Sequence, residues 1–264
     1  MIESMIHPSD PPEPKALVLI PSYDSGMKLM ETVRAARAEW PDVWVVVDGS
    51  TDGSDAPVRE AAAGDPGLRV LLLPRNSGKG AAVLHGMRAA MAEGFTHALT
   101  MDADGQHPAA LIPAFLDAAL AAPDAMILGL PVFGEDAPQL RVRGRRISNW
   151  WANVETAGLG IGDSLFGFRV YPIAPLVRIM ERNPWMRRFD FDPEAAVRLC
   201  WAGVRPVNMS APVRYLRPEE GGVSHFRYGR DNLLLTFMHL RLVLGMLWRL
   251  PWLLRRRGAA ARSR

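Results

Sequence analysis

Asp102 and Asp104 stand one residue apart at the end of a short apolar run, Ala98 to Met101. Two carboxylates so placed can reach one divalent cation that prefers hard oxygen ligands, with a nucleotide diphosphate completing its coordination. Gln106 could add an oxygen and His107 a nitrogen. The same residues would also make a solvated turn in which Asp102 or Asp104 caps a helix opening at Pro108.

Arg75-Asn76-Ser77-Gly78-Lys79-Gly80 places two cations and two glycines ahead of a helical segment, so backbone N–H groups and Lys79 could face a phosphate at the positive helix end. It is neither a phosphate-binding Walker loop, which would need glycine where Leu73 stands and Ser or Thr where Gly80 stands, nor a dinucleotide fingerprint. Asp48 closes the run Val43 to Val47 before Gly49-Ser50-Thr51-Asp52-Gly53. Its carboxylate could accept from a base N–H or a ribose hydroxyl, or simply serve a turn. Asp192-Pro193-Glu194 reads as a helix start, with Asp192 as the cap, Pro193 in the first position, and Glu194 and Arg198 as a pair four apart.

The elements that must position these residues are legible as short, non-alternating apolar runs: 16–20, 43–47, 70–73, 98–101 and 125–128. Such runs read as strands buried on both faces. Helical segments lie between them at 27–39, 56–63, 80–93 and 108–121, so strand and helix alternate and a doubly wound parallel sheet follows. Polar clusters follow four of the strands and therefore share the carboxyl edge, where open α/β sheets bind ligands. Further helices are expected from Arg141 to about Thr156 and from Asp192 to Gly203, and a last long apolar and basic element from about Arg227 to Arg257.

The chain has 264 residues, a single cysteine (Cys200) and 48% apolar residues, which excludes disorder throughout, a coiled coil, an internal disulfide and a cysteine-based zinc site. Charge is segregated. Residues 1–140 hold nine basic and nineteen acidic side chains, whereas 141–264 hold 22 and nine. Residues 1–14, with four prolines, read as a flexible tail without a signal pattern. No stretch reaches the ~18 to 20 unbroken apolar residues of a spanning helix, because His239 and Arg241 interrupt Leu233 to Trp248. Trp248, Trp252 and Arg255-Arg256-Arg257 instead have the composition of a helix lying in the interface of an anionic membrane, or of a core helix with a basic tail.

In order along the chain, these clusters resemble the motifs of the family 2 glycosyltransferases, which have the α/β fold called GT-A, a mostly parallel Rossmann-like sheet flanked by helices. Pro21-Ser22-Tyr23 resembles the opening loop, Asp48 to Asp52 the base-binding acid motif, Arg75 to Gly80 the donor loop, and Asp102-Ala103-Asp104 the metal motif. Gln106-His107-Pro108 leans toward the branch that includes dolichyl-phosphate mannose synthase, and Asp163 to Arg169 with Gly167 resembles that branch's acceptor-side motif. Ser224-His225-Phe226 and 230–239 are also similar to glycosyltransferases of bacterial aryl-polyene and lipid clusters. One departure is Val47-Asp48, where the family commonly has two acids.

The resemblance implies a GT-A domain over 15–226 and a C-terminal amphipathic, membrane-interfacial helix and tail over 227–264. It implies a metal-dependent, inverting transferase that moves a sugar from a nucleotide-diphosphate donor to a lipid-linked acceptor, polyprenyl phosphate or lipid hydroxyl. The expected place is the cytoplasmic face of the inner membrane, without spanning it and without nucleic acid as a partner. Donor binding falls to Pro21, Tyr23, Asp48, Arg75, Lys79, Gly80 and Asp102. Mg2+ or Mn2+ falls to Asp104, Asp102 and Gln106, and the acceptor side to Asp163, Gly167 and Arg169. Asp192 stands where hydroxyl-glycosylating members keep a catalytic aspartate and Glu194 where the polyprenyl-phosphate branch keeps a glutamate. A nucleotidyltransferase of similar fold, or a non-catalytic subunit that binds nucleotide sugars, remains as an alternative.

Overall fold

A computed structural model describes residues 14–133, 139–213 and 228–262. Of the expectations above, the tail before residue 14 and Ser224-His225-Phe226 lie outside these residues.

Among the described residues the five apolar runs and two further strands assemble into a seven-stranded sheet. Its strands are Ala16–Ser22 (β1), Val43–Asp48 (β2), Leu68–Leu73 (β3), His97–Thr100 (β4), Ala125–Val132 (β5), Arg169–Pro172 (β6) and Arg205–Pro212 (β7). Their order is β3-β2-β1-β4-β6-β5-β7, parallel except for β6, which runs antiparallel to β4 and β5. Eight helices are described: Lys28–Glu39 (α1), Ala56–Ala63 (α2), Lys79–Ala92 (α3), Ile112–Ala121 (α4), Gln139–Glu155 (α5), Ile173–Arg182 (α6), Phe191–Trp201 (α7) and Tyr228–Arg262 (α8). One apolar core fills the face under α3, α6, α7 and α8, and a second fills the face under α1 and α4. β1 and β2 are buried along their whole length, as non-alternating runs require.

Three departures from the sequence reading have physical causes. β3 is not buried on both faces, because it is an edge strand and Leu72 keeps 51% of its surface exposed. β6 is unanticipated because it is four residues long and opens on Arg169. β7 is unanticipated because Pro206, Asn208, Ser210 and Pro212 give it no apolar run. α6 also escapes the sequence reading.

The approach of α3 to the sheet sets where the carboxyl edge meets the helix start. A Cβ at Gly86 would lie 2.5 Å from Leu19 Cδ1 and 2.9 Å from Val46 Cγ2, so any larger residue would make these buried side chains or α3 itself shift. Gly86→Ala should therefore lower stability by about 1 to 2 kcal/mol in urea unfolding, since overpacking outweighs the ~1 kcal/mol gain in helix propensity. A variant as stable as the parent would show that α3 can lift from the sheet at no cost.

Candidate active site

β1 divides the sheet, with β2 and β3 on one side and β4 on the other, so the crevice at its carboxyl end is the switch point of the fold. Two loops close over it. Asp48, at the end of β2, accepts the Ser77 and Gly78 backbone N–H groups, one on each carboxylate oxygen, at 2.7 Å. Burial pushes its carboxyl above the ordinary value against the pull of those N–H groups. Gly49 has φ +66°, and a Cβ there would sit 2.4 Å from the Arg75 carbonyl carbon, so the two loops touch through backbone alone.

That contact delivers Lys79, the first residue of α3, into the crevice. Its ammonium lies 2.7 Å from Asp102 Oδ1 and 2.7 Å from Asp192 Oδ2. Burial alone would lower the pKa of Lys79, but Asp102 and Asp192 overcome that and raise it, so the residue is a fixed cation. Asp102 in turn is held down at about 2, the raising effect of burial being outweighed by Lys79 and His107. Gly167 makes room, since a Cβ there would be 2.8 Å from Lys79 Nζ and 2.9 Å from Asp102 Oδ2.

Asp104 closes no ion pair among the described residues, and His107 and Lys79 act on it only from a distance. Burial and the neighbouring charge of Asp102 raise its pKa, and its Oδ1 accepts the Gln106 N–H at 3.0 Å. Neither aspartate caps the turn at Ala109–Leu111, whose cap position, Pro108, has no side-chain bond. His107 accepts the Asp102 N–H on Nδ1 and packs edge-on against Phe166 and Phe168. The imidazole therefore braces the strand end. Among the described residues no three His, Cys, Asp or Glu side chains converge into a metal cage. Two half-buried carboxylates with one uncompensated charge do fit a hard divalent cation whose remaining ligands come from a substrate.

The acceptor-side residues are tied together. Asp163 accepts from Arg145 Nη1 (2.6 Å) and Asn149 Nδ2 (3.0 Å) of α5 and from the Leu165 and Phe166 N–H groups. Arg169 is fully buried and donates to the carbonyls of Asp192 (2.6 Å) and Asp163 (3.1 Å) and to the Tyr171 hydroxyl. Of the remaining sequence candidates, Pro21 is buried inside β1. Gly80 is pressed against the Met186 carbonyl, Arg75 is exposed, and Tyr23 meets Asp24, which raises its pKa.

The helix start differs from the sequence reading. Asp190, not Asp192, occupies the cap position of α7, and its carbonyl accepts the Glu194 N–H. Asp192 lies inside the first turn, 5% exposed, with Oδ2 on Lys79 and Oδ1 buried without a partner among the described residues. Glu194, two residues on, points about 200° away around the helix. It is fully buried, with Oε1 accepting from Trp185 Nε1 and Arg198 and Oε2 from Arg241. The structure thus brings Asp102, Lys79, Gly167 and Asp192 together and sets Glu194 in a separate ion network. Sequence reasoning missed Arg145, Asn149 and Asp190; the run of alternate acids at 190, 192 and 194 was the available signal for the last.

A GT-A fold is the class this arrangement defines: a switch-point crevice with the acid-tethered loop 75–80 on one side and a paired-carboxylate turn on the other. The family model for glycosyl transferase family 2 matches residues 17–177, and the chain belongs to that family as a glycosyltransferase. It is 28% identical over 221 residues to the undecaprenyl-phosphate mannosyltransferase of Micrococcus luteus, covering 78% of this chain and 86% of that one. To the polyprenol monophosphomannose synthase of Mycolicibacterium smegmatis it is 34% identical over 167 residues, 61% and 62% of the two chains. Staphylococcus aureus TarS 1-349, solved in complex with UDP-GlcNAc, shares the fold with a TM-score of 0.54 at 15% identity, over 85% of this chain and 65% of that one.

Beside the crevice, burial, with Glu194 adding to it, pushes Asp190 up to about 6. The native carboxyl keeps its proton up to that pH while the unfolded one releases it near 3.8, so Asp190 costs stability as the pH rises through this window. Asp190→Asn should therefore be more stable than the parent by up to about 3 kcal/mol in urea at pH 8 and about equal to it at pH 4. An advantage of the same size at both pH values would assign the effect to packing instead of ionisation.

Proposed function

We propose that this glycosyltransferase moves a sugar, with inversion, from a nucleotide-diphosphate donor to a polyprenyl phosphate at the cytoplasmic face of the inner membrane, using Mg2+ or Mn2+. The observation that carries the reading is the Asp102–Lys79–Asp192 bridge set beside the uncompensated Asp104. Three carboxylates face two fixed cations, Lys79 and Arg169, which leaves the crevice one negative charge in excess before an anionic donor arrives. A divalent cation on Asp104 and Asp102 would reverse that sign and, when bound, supply Lewis-acid stabilisation of the departing diphosphate.

The chain's own residues then have defined parts. Asp48 holds the donor loop so that the Lys79 ammonium lies within reach of the diphosphate and offsets the charge developing on it. Gly167 keeps the face of Asp102 open. Asp163 and Arg169 fix the acceptor-side loop to α5 and to the backbone of Asp192. The activities in the names of the two bacterial relatives support a polyprenyl phosphate acceptor, which is already anionic and needs no base.

One observation favours a second reading, in which the acceptor is a lipid hydroxyl: Asp192 Oδ1 has no hydrogen-bond partner among the described residues and so keeps a lone pair for a proton. Asp192→Asn separates the two. With a phosphate acceptor kcat should stay within about tenfold of the parent, whereas loss of a general base should lower it by 10²- to 10⁴-fold. Asp104→Ala should abolish cation-dependent binding of nucleotide sugar, read by calorimetry with manganese and with EDTA. Equal affinity in the two would overturn the metal assignment.

The membrane part of the reading rests on α8. Residues Asp231–Gly258 are long and apolar enough to cross a bilayer by length and composition. Yet His239 meets Glu155 of α5 at 2.7 Å, Arg241 meets Glu194 of α7 at 3.0 Å, and Arg256 donates to the carbonyls of Cys200 and Gly203. These bonds support a helix that lies on the domain and offers lipid only its outer face of Leu233, Phe237, Leu240, Leu244, Leu247 and Trp248, each more than half exposed. Leu240→Glu with Leu244→Glu should leave the fold intact and abolish flotation with anionic liposomes. Unchanged flotation would return α8 to the role of a packing helix.

A further inference from the structure

The first turn of α7 carries three acids in five residues, and each faces a cation from a different place. Asp192 has Lys79 of α3, and Glu194 has Arg198 of its own helix at 2.7 Å. Arg241, from α8, reaches Glu194 Oε2 at 3.0 Å and lies 4.0 Å from Asp190 Oδ2, an oxygen with no hydrogen-bond partner among the described residues. Asp190 and Glu194 are both fully buried and four residues apart, hence neighbours on one helix face, where like charges repel. The Arg241 guanidinium also stacks over Trp185 at 5.2 Å, and that indole donates to Glu194.

We propose that Arg241 is a positioning residue for the active site. Seated between Asp190 and Glu194, it converts their repulsion into attraction and so holds the first turn of α7 in the one arrangement that keeps Asp192 against Lys79. The docking of α8 on the domain thereby sets the geometry of the crevice, although α8 contributes no side chain to it among the described contacts. Removing Arg241 leaves Glu194 to Arg198 alone and takes from buried Asp190 the cation at 4.0 Å, and the turn that carries Asp192 relaxes to let water reach them. Only the kinetic part of this inference rests on the function proposed above.

The test uses the full chain and two readouts, amide hydrogen exchange and steady-state kinetics. In Arg241→Met, amides of 188–194 should exchange at least about tenfold faster while those of β1 and β4 are unchanged. kcat should fall about five- to tenfold, within the range allowed for Asp192→Asn, with KM for the nucleotide sugar changing less than about twofold, the pattern of a misplaced group and not of lost donor binding. Arg241→Lys should recover most of both. If Arg241→Met does not fold, the double variant Glu194→Gln with Arg241→Met decides, because it removes the repulsion along with the cation. Exchange at 188–194 in the double as slow as in the parent supports the proposal, and exchange there at least about tenfold faster than in the parent overturns it. Unchanged exchange and kcat in Arg241→Met overturn it outright. If exchange responds as expected but the parent transfers sugar to no polyprenyl phosphate, the positioning role stands and the functional reading falls.

Discussion

A buried ammonium needs an acid, and Lys79 has two. Its 2.7 Å contacts to Asp102 and Asp192 join the start of α3, the end of β4 and the first turn of α7 at one point, across 113 residues of sequence. Without those carboxylates burial would drive the ammonium toward neutrality; with them it is a fixed positive charge. Much of the surrounding architecture serves that contact. A Cβ at Gly78 would be 2.3 Å from the Arg187 carbonyl oxygen, and one at Gly80 would be 2.4 Å from that of Met186. Two bare backbone positions therefore let α3 abut the segment that leads into α7, and the Ala81 N–H bonds the Arg187 carbonyl across the same seam.

Around this point the protein keeps opposite charges in reach without letting every pair close. Arg169 lies behind Asp192, yet its guanidinium takes up backbone carbonyls and a tyrosine hydroxyl in place of a carboxylate. It lends positive charge to the crevice and leaves the acids free for other partners. Asp163 does the reverse, spending both oxygens on α5 and on its own loop, which makes it a fastener of that loop to α5.

Short apolar runs were enough to place β1 to β5, and the composition between and after them α1 to α5, α7 and α8, because a strand buried on both faces needs an unbroken apolar run and a helix does not. That reading failed for β6 and β7, where register against β5 decides the strand and the residues themselves carry no pattern. The site divides in the same way. Asp102, Asp104 and Lys79 follow strands or open a helix and could be placed by local rules. Asp192 followed by proline looked like a cap by the same rules, and was misread because its partner comes from a distant element. Glu194 was legible as an acid in the right neighbourhood, but its direction around the helix, and so its allegiance to Arg241, depends on where α8 packs.

Two polar residues that count as interruptions in a hydropathy average turn out to organise α8. Met238, Leu242, Met246 and Leu253 face the domain, while Leu233, Phe237, Leu240, Leu244 and Leu247 face outward, and His239 and Arg241 sit on the inner flank. Averaging over both faces makes the helix look like a span broken at two points. Resolving the faces gives an apolar outer surface and an inner surface bound to two buried glutamates. A helix that crossed a bilayer would have to part from Glu155 and Glu194 and leave both carboxylates buried without their partners from α8. The cost of stripping buried carboxylates of partners is therefore a physical reason for α8 to keep its contacts with Glu155 of α5 and Glu194 of α7.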